Sequence, residues 1–165
     1  MDNKVKERDK MKMQLWRDVF RAAACELEMG GVELDAAGGC TIVSGQQGMP
    51  PIHIAFDDEA GVADIFAEIG LVPSDDVDLY REFLFDHYFA DLTKGAFFSA
   101  SRETGRILLH RTFEVRSQDD GPALAATLAD FSEVAYTGRR KLYRSVLGDA
   151  EEPNAAPTDP FLQRV

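Results

Sequence analysis

The stretch Val62-Ala63-Asp64-Ile65-Phe66-Ala67-Glu68-Ile69-Gly70-Leu71-Val72 decides how this chain folds. Read with a period of two, Ile65, Ala67, Ile69 and Leu71 fall on one face, as in a half-buried strand. Read with the helical period, Val62, Ile65, Phe66 and Ile69 share a face equally well. Periodicity alone leaves both open.

The segments on its N-terminal side are plainer. Ile52, Ile54 and Phe56 alternate with His53 and Ala55, and Cys40 to Ser44 is rich in β-formers. Val32 to Leu34 adds a short strand, and Gly38-Gly39 and Gln46 to Pro51 read as turns. Before them, an amphipathic helix is expected from about Met11 to Met29. Trp16, Phe20, Ala23 and Leu27 recur on one face, Leu15, Val19 and Ala22 widen it, and Gly30-Gly31 stops it at a left-handed position.

On the C-terminal side a second helix begins near Ser74, whose hydroxyl is the expected N-cap, with Asp75, Asp76 and Asp78 at the positive end of the dipole. Leu79, Tyr80, Phe83, Leu84, Phe85, Tyr88 and Phe89 surround this helix rather than stripe it. A helix apolar on all sides must be covered on all sides. One small domain covers one face, so the other calls for a second subunit or a partner. A hairpin follows, with Ala96 to Ser101 and Ile107 to Val115 flanking a tight turn at Glu103-Thr104-Gly105. A last helix runs from about Gly121 to Leu147, with Leu124, Leu128, Phe131, Ala135, Leu142 and Val146 on one face. Strands grouped between helices indicate an α+β fold, an antiparallel sheet with helices packed on it.

The chain has 165 residues, 45% of them hydrophobic, enough to build the core of one domain at residues 11–148. Residues 1–10 read as a charged, flexible N-terminus, and 149–165, with Pro153, Pro157 and Pro160 among acidic residues, as a flexible tail. No run approaches the roughly 20 apolar residues of a membrane span, so no membrane insertion is expected. Met1 to Lys12 has no apolar core of a secretory signal, which places the protein in the cytoplasm. A net charge of −11 repels nucleic acid and anionic lipid.

No catalytic constellation emerges. There is no P-loop, no dinucleotide-binding glycine pattern and no nucleophile elbow. His53, His87 and His110 are scattered, and pairing one with Cys25 or Cys40 as nucleophile and base has no supporting motif. Asp57-Asp58-Glu59 reads as a turn and Asp75-Asp76 as a helix start. Two cysteines without further ligands at zinc spacing read as small buried hydrophobes, so no metal and no cofactor is expected.

The pieces together resemble the class I chaperones of bacterial type III secretion (the Tir-chaperone family), over about residues 12–147. The resemblance is carried by the opening helix ending in Gly30-Gly31, by Val32 to Asp35, by Cys40-Thr41-Ile42-Val43 and by Ile52-His53-Ile54-Ala55-Phe56. It continues in Ile65 to Pro73, Gly95-Ala96-Phe97-Phe98-Ser99 and Glu103-Thr104-Gly105-Arg106-Ile107-Leu108-Leu109. It implies the order α-βββ-α-ββ-α, with Val62 to Val72 as a strand. It also implies a homodimer whose second helix lies at the interface, and binding of the N-terminal region of a secreted effector without ATP or catalysis.

The expected dimer residues are Leu79, Phe83, Phe85, Tyr88 and Phe89. The expected client-binding residues are Ile42, Ile52, Ile54, Phe56, Phe98 and Leu109 on the sheet, with Trp16 and Val19 on the first helix. Alternation marks a buried face without saying what buries it, so ordinary core is the competing reading for each. A non-secretory regulatory or protein-binding module on the same fold is the alternative function.

Overall fold

In the computed structural model, which describes residues 2–72, 76–86, 90–101 and 103–147, the deciding segment is a strand, β3 (Val62–Leu71). It forms as a strand because it finds a partner on each side. Ile65 lies opposite Ile54 of β2 (Ile52–Asp57), and Ala67 opposite Leu109 of β5 (Arg106–Glu114). The other elements are α1 (Asp2–Glu26), β1 (Cys40–Ile42), α2 (Val77–Asp86), a single turn α3 (Ala90–Thr93), β4 (Phe97–Ala100) and α4 (Gly121–Leu147). The expected order therefore holds, with an extra helical turn after α2 and a 3-10 turn (Gln118–Asp120) before α4. The strands lie in the order β1-β2-β3-β5-β4, every neighbour antiparallel.

The helices pack on one face of this sheet. Trp16 of α1 stacks on Phe56 of β2 at 5.1 Å, and its indole N–H donates to the Gly38 carbonyl at 2.7 Å. Phe83 of α2 meets Phe98 of β4 edge-on at 5.1 Å. α4 crosses β3 at a bulge, where Gly70 takes φ 153° and a Cβ would lie 2.6 Å from Leu142 Cδ2. At its start, Gly121 sits where a Cβ would come within 2.6 Å of Ala22 Cβ on α1. Both glycines set how closely α4 can approach its neighbours.

Four local expectations are corrected. α1 begins at Asp2 rather than near Met11, so the helix runs through residues 2–10. Lys4, Lys6, Glu7, Arg8 and Lys10, five of the nine residues there, are good helix formers. α1 is closed by Glu28 at φ 53°, ahead of the Gly30-Gly31 pair. Met29 N–H donates to Ala24 O at 2.9 Å and Glu28 N–H to Cys25 O at 3.2 Å, the paired bonds of a Schellman end. Val32 to Leu34 is irregular chain. The N-cap of α2 is Asp76, whose Oδ1 accepts from Leu79 N–H at 3.0 Å. Ser74 and the tail from residue 148 onward lie outside the described residues.

Candidate functional site

The sheet alternation locates a face, and that face is the core. Trp16, Val19, Ile42, Ile52, Ile54, Phe98 and Leu109 are all buried beneath the chain's own helices, and Phe56 is half-buried against Trp16. As drawn from the sequence, the client-binding set is therefore corrected at its seven buried positions, whereas Phe56 keeps part of its surface open and lines a cleft. Leu79 and Phe83 are corrected likewise, at 4% and 0% exposure within a single copy. α2 is wedged beside β4 and α4, with Phe98 and the Lys141 ammonium against Phe83, so its own chain covers those two positions. The Phe85 side chain, Tyr88 and Phe89 lie outside the described residues.

The opposite phase of the same strands builds something different. Thr41, His53, Phe66, His110 and Phe97 are direct cross-strand partners in turn, one from each strand, and form a row across the whole sheet. Thr41 Oγ1 and His53 Nδ1 are hydrogen-bonded at 3.0 Å. The rings then stack: His53 on Phe66 at 5.1 Å, Phe66 on His110 at 6.4 Å, and His110 on Phe97 at 5.3 Å. Phe97 is 40% exposed and the other three rings are half-buried. Burial among these rings pulls the His110 pKa below its ordinary value, while Asp64 nearby pulls it back up. Neutral imidazole is thereby favoured at neutral pH. Glu68 on this face is paired with Arg106. Exposed Asp64 makes no ion pair among the described residues.

Two clefts adjoin these surfaces. One, of about 490 Å³, opens at the β1 end of the row between Glu33, Asp35, Thr41, His53, Ala55 and Phe66. The other, of about 610 Å³, runs beside α1, with Phe20, Ala24, Met29, Val32 and Leu34 lining it and Arg17 and Arg21 at its rim. Cys25 lines this second cleft and is exposed. Burial, with a smaller contribution from Asp35, pushes the Cys40 thiol up to about 11, so it stays protonated at neutral pH. Cys40 pairs across to Ile54, on the core side, whereas His53 points to the other face. His53 and His110 are separated by Phe66, and His87 lies outside the described residues. Cys40 and His53 both line the first cleft, yet among the described residues no hydrogen bond joins them, and His53 Nδ1 is paired with Thr41 Oγ1.

Read from sequence, His53 and His110 were isolated polar positions on strands. Their alignment depends on register between strands far apart in the chain, which no single segment records. The available signal was the occurrence of large rings, His53, Phe66, Phe97 and His110, in the solvent-facing phase of four strands.

A family model for the Tir chaperone protein (CesT) family matches residues 22–137, from near the end of α1 to the second half of α4. The chain belongs to that family. None of the curated proteins matches it in sequence. Solved structures similar to this CesT-family chain include the HopA1–SchA chaperone–effector complex, at 15% identity and a TM-score of 0.59, covering 79% of this chain and 97% of that one. The type III secretion chaperone SycH of Yersinia pestis, in complex with a fragment of YscM2, matches at 19% identity and a TM-score of 0.54, covering 74% and 98%. The ExoU–SpcU complex of the Pseudomonas aeruginosa type III secretion system matches at 20% identity and a TM-score of 0.51, covering 70% and 90%. These likenesses extend the family assignment to the fold. Among the described residues, no helix of this CesT-family chain is long and apolar enough to cross a membrane.

Proposed function

We propose that this protein is a homodimeric type III secretion chaperone that binds the N-terminal region of an effector and keeps it soluble and secretion-competent without hydrolysing ATP. The observation that carries this reading is the family match over residues 22–137, on a fold shared with chaperones captured in complex with effectors. The surfaces available to a client are those the core leaves open. The sheet ends at β1 and β4, whose outer edges have no strand partner among the described residues and suit strand addition. The apolar cleft beside α1 suits side chains of an extended segment. For the dimer, exposed Val77 of α2 (52%) and exposed Leu92 of α3 (59%) replace Leu79 and Phe83 as contacts, with Phe85, Tyr88 and Phe89 retained from the sequence.

The test is co-expression with the N-terminal fragment, and separately with the remainder, of a secretion substrate encoded beside this gene, followed by native mass spectrometry. Two copies of this chain per N-terminal fragment, with no capture of the remainder, is the expected result. A monomer, or a dimer that leaves the fragment insoluble, overturns it.

A further inference from the structure

We propose that the acidic run Asp149-Ala150-Glu151-Glu152, which follows α4, folds back onto a basic cleft of that helix and masks it. The cleft, of about 340 Å³, is lined by Thr137, Arg140, Lys141 and Arg144, whose spacing puts them on one helix face. Arg139 adds a fourth cation beside them, in a chain whose net charge is −11. No carboxylate stands three or four residues before or after any of the four, so α4 cannot neutralise them from its own surface. Arg140 and Arg144 are like charges one turn apart, as are Lys141 and Arg144, an arrangement that costs helix stability until an anion is supplied. Glu82 of α2 reaches Lys141, at 3.3 Å. Arg140 is held over the Tyr136 ring at 5.7 Å and Lys141 over the Phe83 ring at 5.3 Å, so these heads are already placed for a ligand.

The sequence supplies the anions directly after the helix. Between Glu133 and Asp149 there is no acid, and between Arg144 and Arg164 there is no base. Two blocks of opposite sign thus meet at Gly148, the residue type best able to end a helix in a left-handed turn and send the chain back. Measured from Leu147, Arg144 lies about 4.5 Å and Arg140 about 10.5 Å back along the helix axis. The residues from Asp149 to Glu152 extend about 13 Å. Once turned, they run the length of the cleft and bring Glu151 and Glu152 within side-chain reach of both arginines. Continued as helix, the same run would place no acid three or four residues from any of these cations, and Pro153 would interrupt it. An acidic segment of another molecule offers the same chemistry. This one is tethered beside the cleft at an effective concentration on the order of millimolar, so it has first claim.

The test reads the amide NMR signals of Asp149, Glu151 and Glu152 in the whole chain. At low salt they are expected away from random-coil positions, and to move towards them at roughly 0.5 M salt, which screens exposed ion pairs. Arg140→Glu with Arg144→Glu should lower the ratio of seated to released segment about tenfold, the loss of two exposed pairs. Glu151→Arg with Glu152→Arg should do the same. All four changes together should restore seating, a recovery that damage to the fold would not give. Random-coil signals in the unaltered chain overturn the proposal, as do signals indifferent to both pairs of changes, or no recovery in the combined variant. Seating that weakens on dilution would place the segment on another molecule and overturn it as well. No client takes part, so effector capture stands or falls separately.

Discussion

On β3, Ala63, Ile65, Ala67 and Ile69 face the helices, while Asp64, Phe66 and Glu68 face away. One backbone thus makes two surfaces of different composition. The inner surface is mainly aliphatic, largely buried and closed by α1, α2 and α4. The outer one is aromatic and charged, half-open, and held together by ring stacking across four strands, with Thr41 of the fifth hydrogen-bonded to His53. A strand's apolar phase announces where the core lies, because burial is what apolar residues are selected to do. In a small domain that phase is already occupied by the domain itself. A site for another molecule is therefore better sought in the opposite phase, among side chains too large or too polar for an inert surface.

The contrast predicts a graded set of losses. Leu109→Ala on the inner face should cost about 2–5 kcal/mol in urea denaturation, and Phe66→Ala on the outer face about 1 kcal/mol. Equal costs would mean that the outer face is as fully covered as the inner one. Next in size is Gly70→Ala, expected to cost about 1–3 kcal/mol because its Cβ collides with Leu142 and its φ is positive. That cost should shrink in a Leu142→Ala background; an unchanged cost would show that helix packing does not set it.

Smaller still is the effect of acid. His110 has a lowered pKa in the folded chain, so the unfolded chain takes up its proton first. The stability it contributes is complete above its ordinary value of 6.5 and is lost as pH falls through the lower folded value. His110→Gln should flatten the stability profile in that window, and a profile that keeps its slope would assign it to other groups. Asp64→Asn should change stability by no more than about 0.5 kcal/mol. It should also lower the His110 titration midpoint seen by NMR, since Asp64 is the charge that raises it. An unmoved midpoint would separate the two groups electrostatically.

Much of the fold was legible. Alternation at Ile52, Ile54 and Phe56, the turn at Glu103 to Gly105, and the helical stripes through Trp16 and Leu128 each follow from local chemistry and reappear as β2, the β4–β5 turn and α1 and α4. Val62–Leu71 was not legible from its own pattern, because its state depends on β2 and β5 being there to pair with it. The helix end at Glu28 was missed for another reason: two glycines follow it closely, yet hydrogen bonding places the left-handed turn on a residue that rarely adopts it. The site was the least legible. Leu79 and Phe83 look surplus on a helical wheel, but both are buried within the chain, Phe83 against β4 and α4. The ring row draws on residues 41, 53, 66, 97 and 110, which only strand register brings together.

The two cysteines give the chain an intrinsic labelling site. Cys40 is half-buried with its thiol held protonated, whereas Cys25 stands exposed in the cleft beside α1. A maleimide dye sensitive to polarity should react first at Cys25, without any mutation, and its emission would then signal whatever enters that cleft. The wild-type protein can in this way serve as its own optical reporter of occupancy, read in real time and at concentrations far below those needed for NMR.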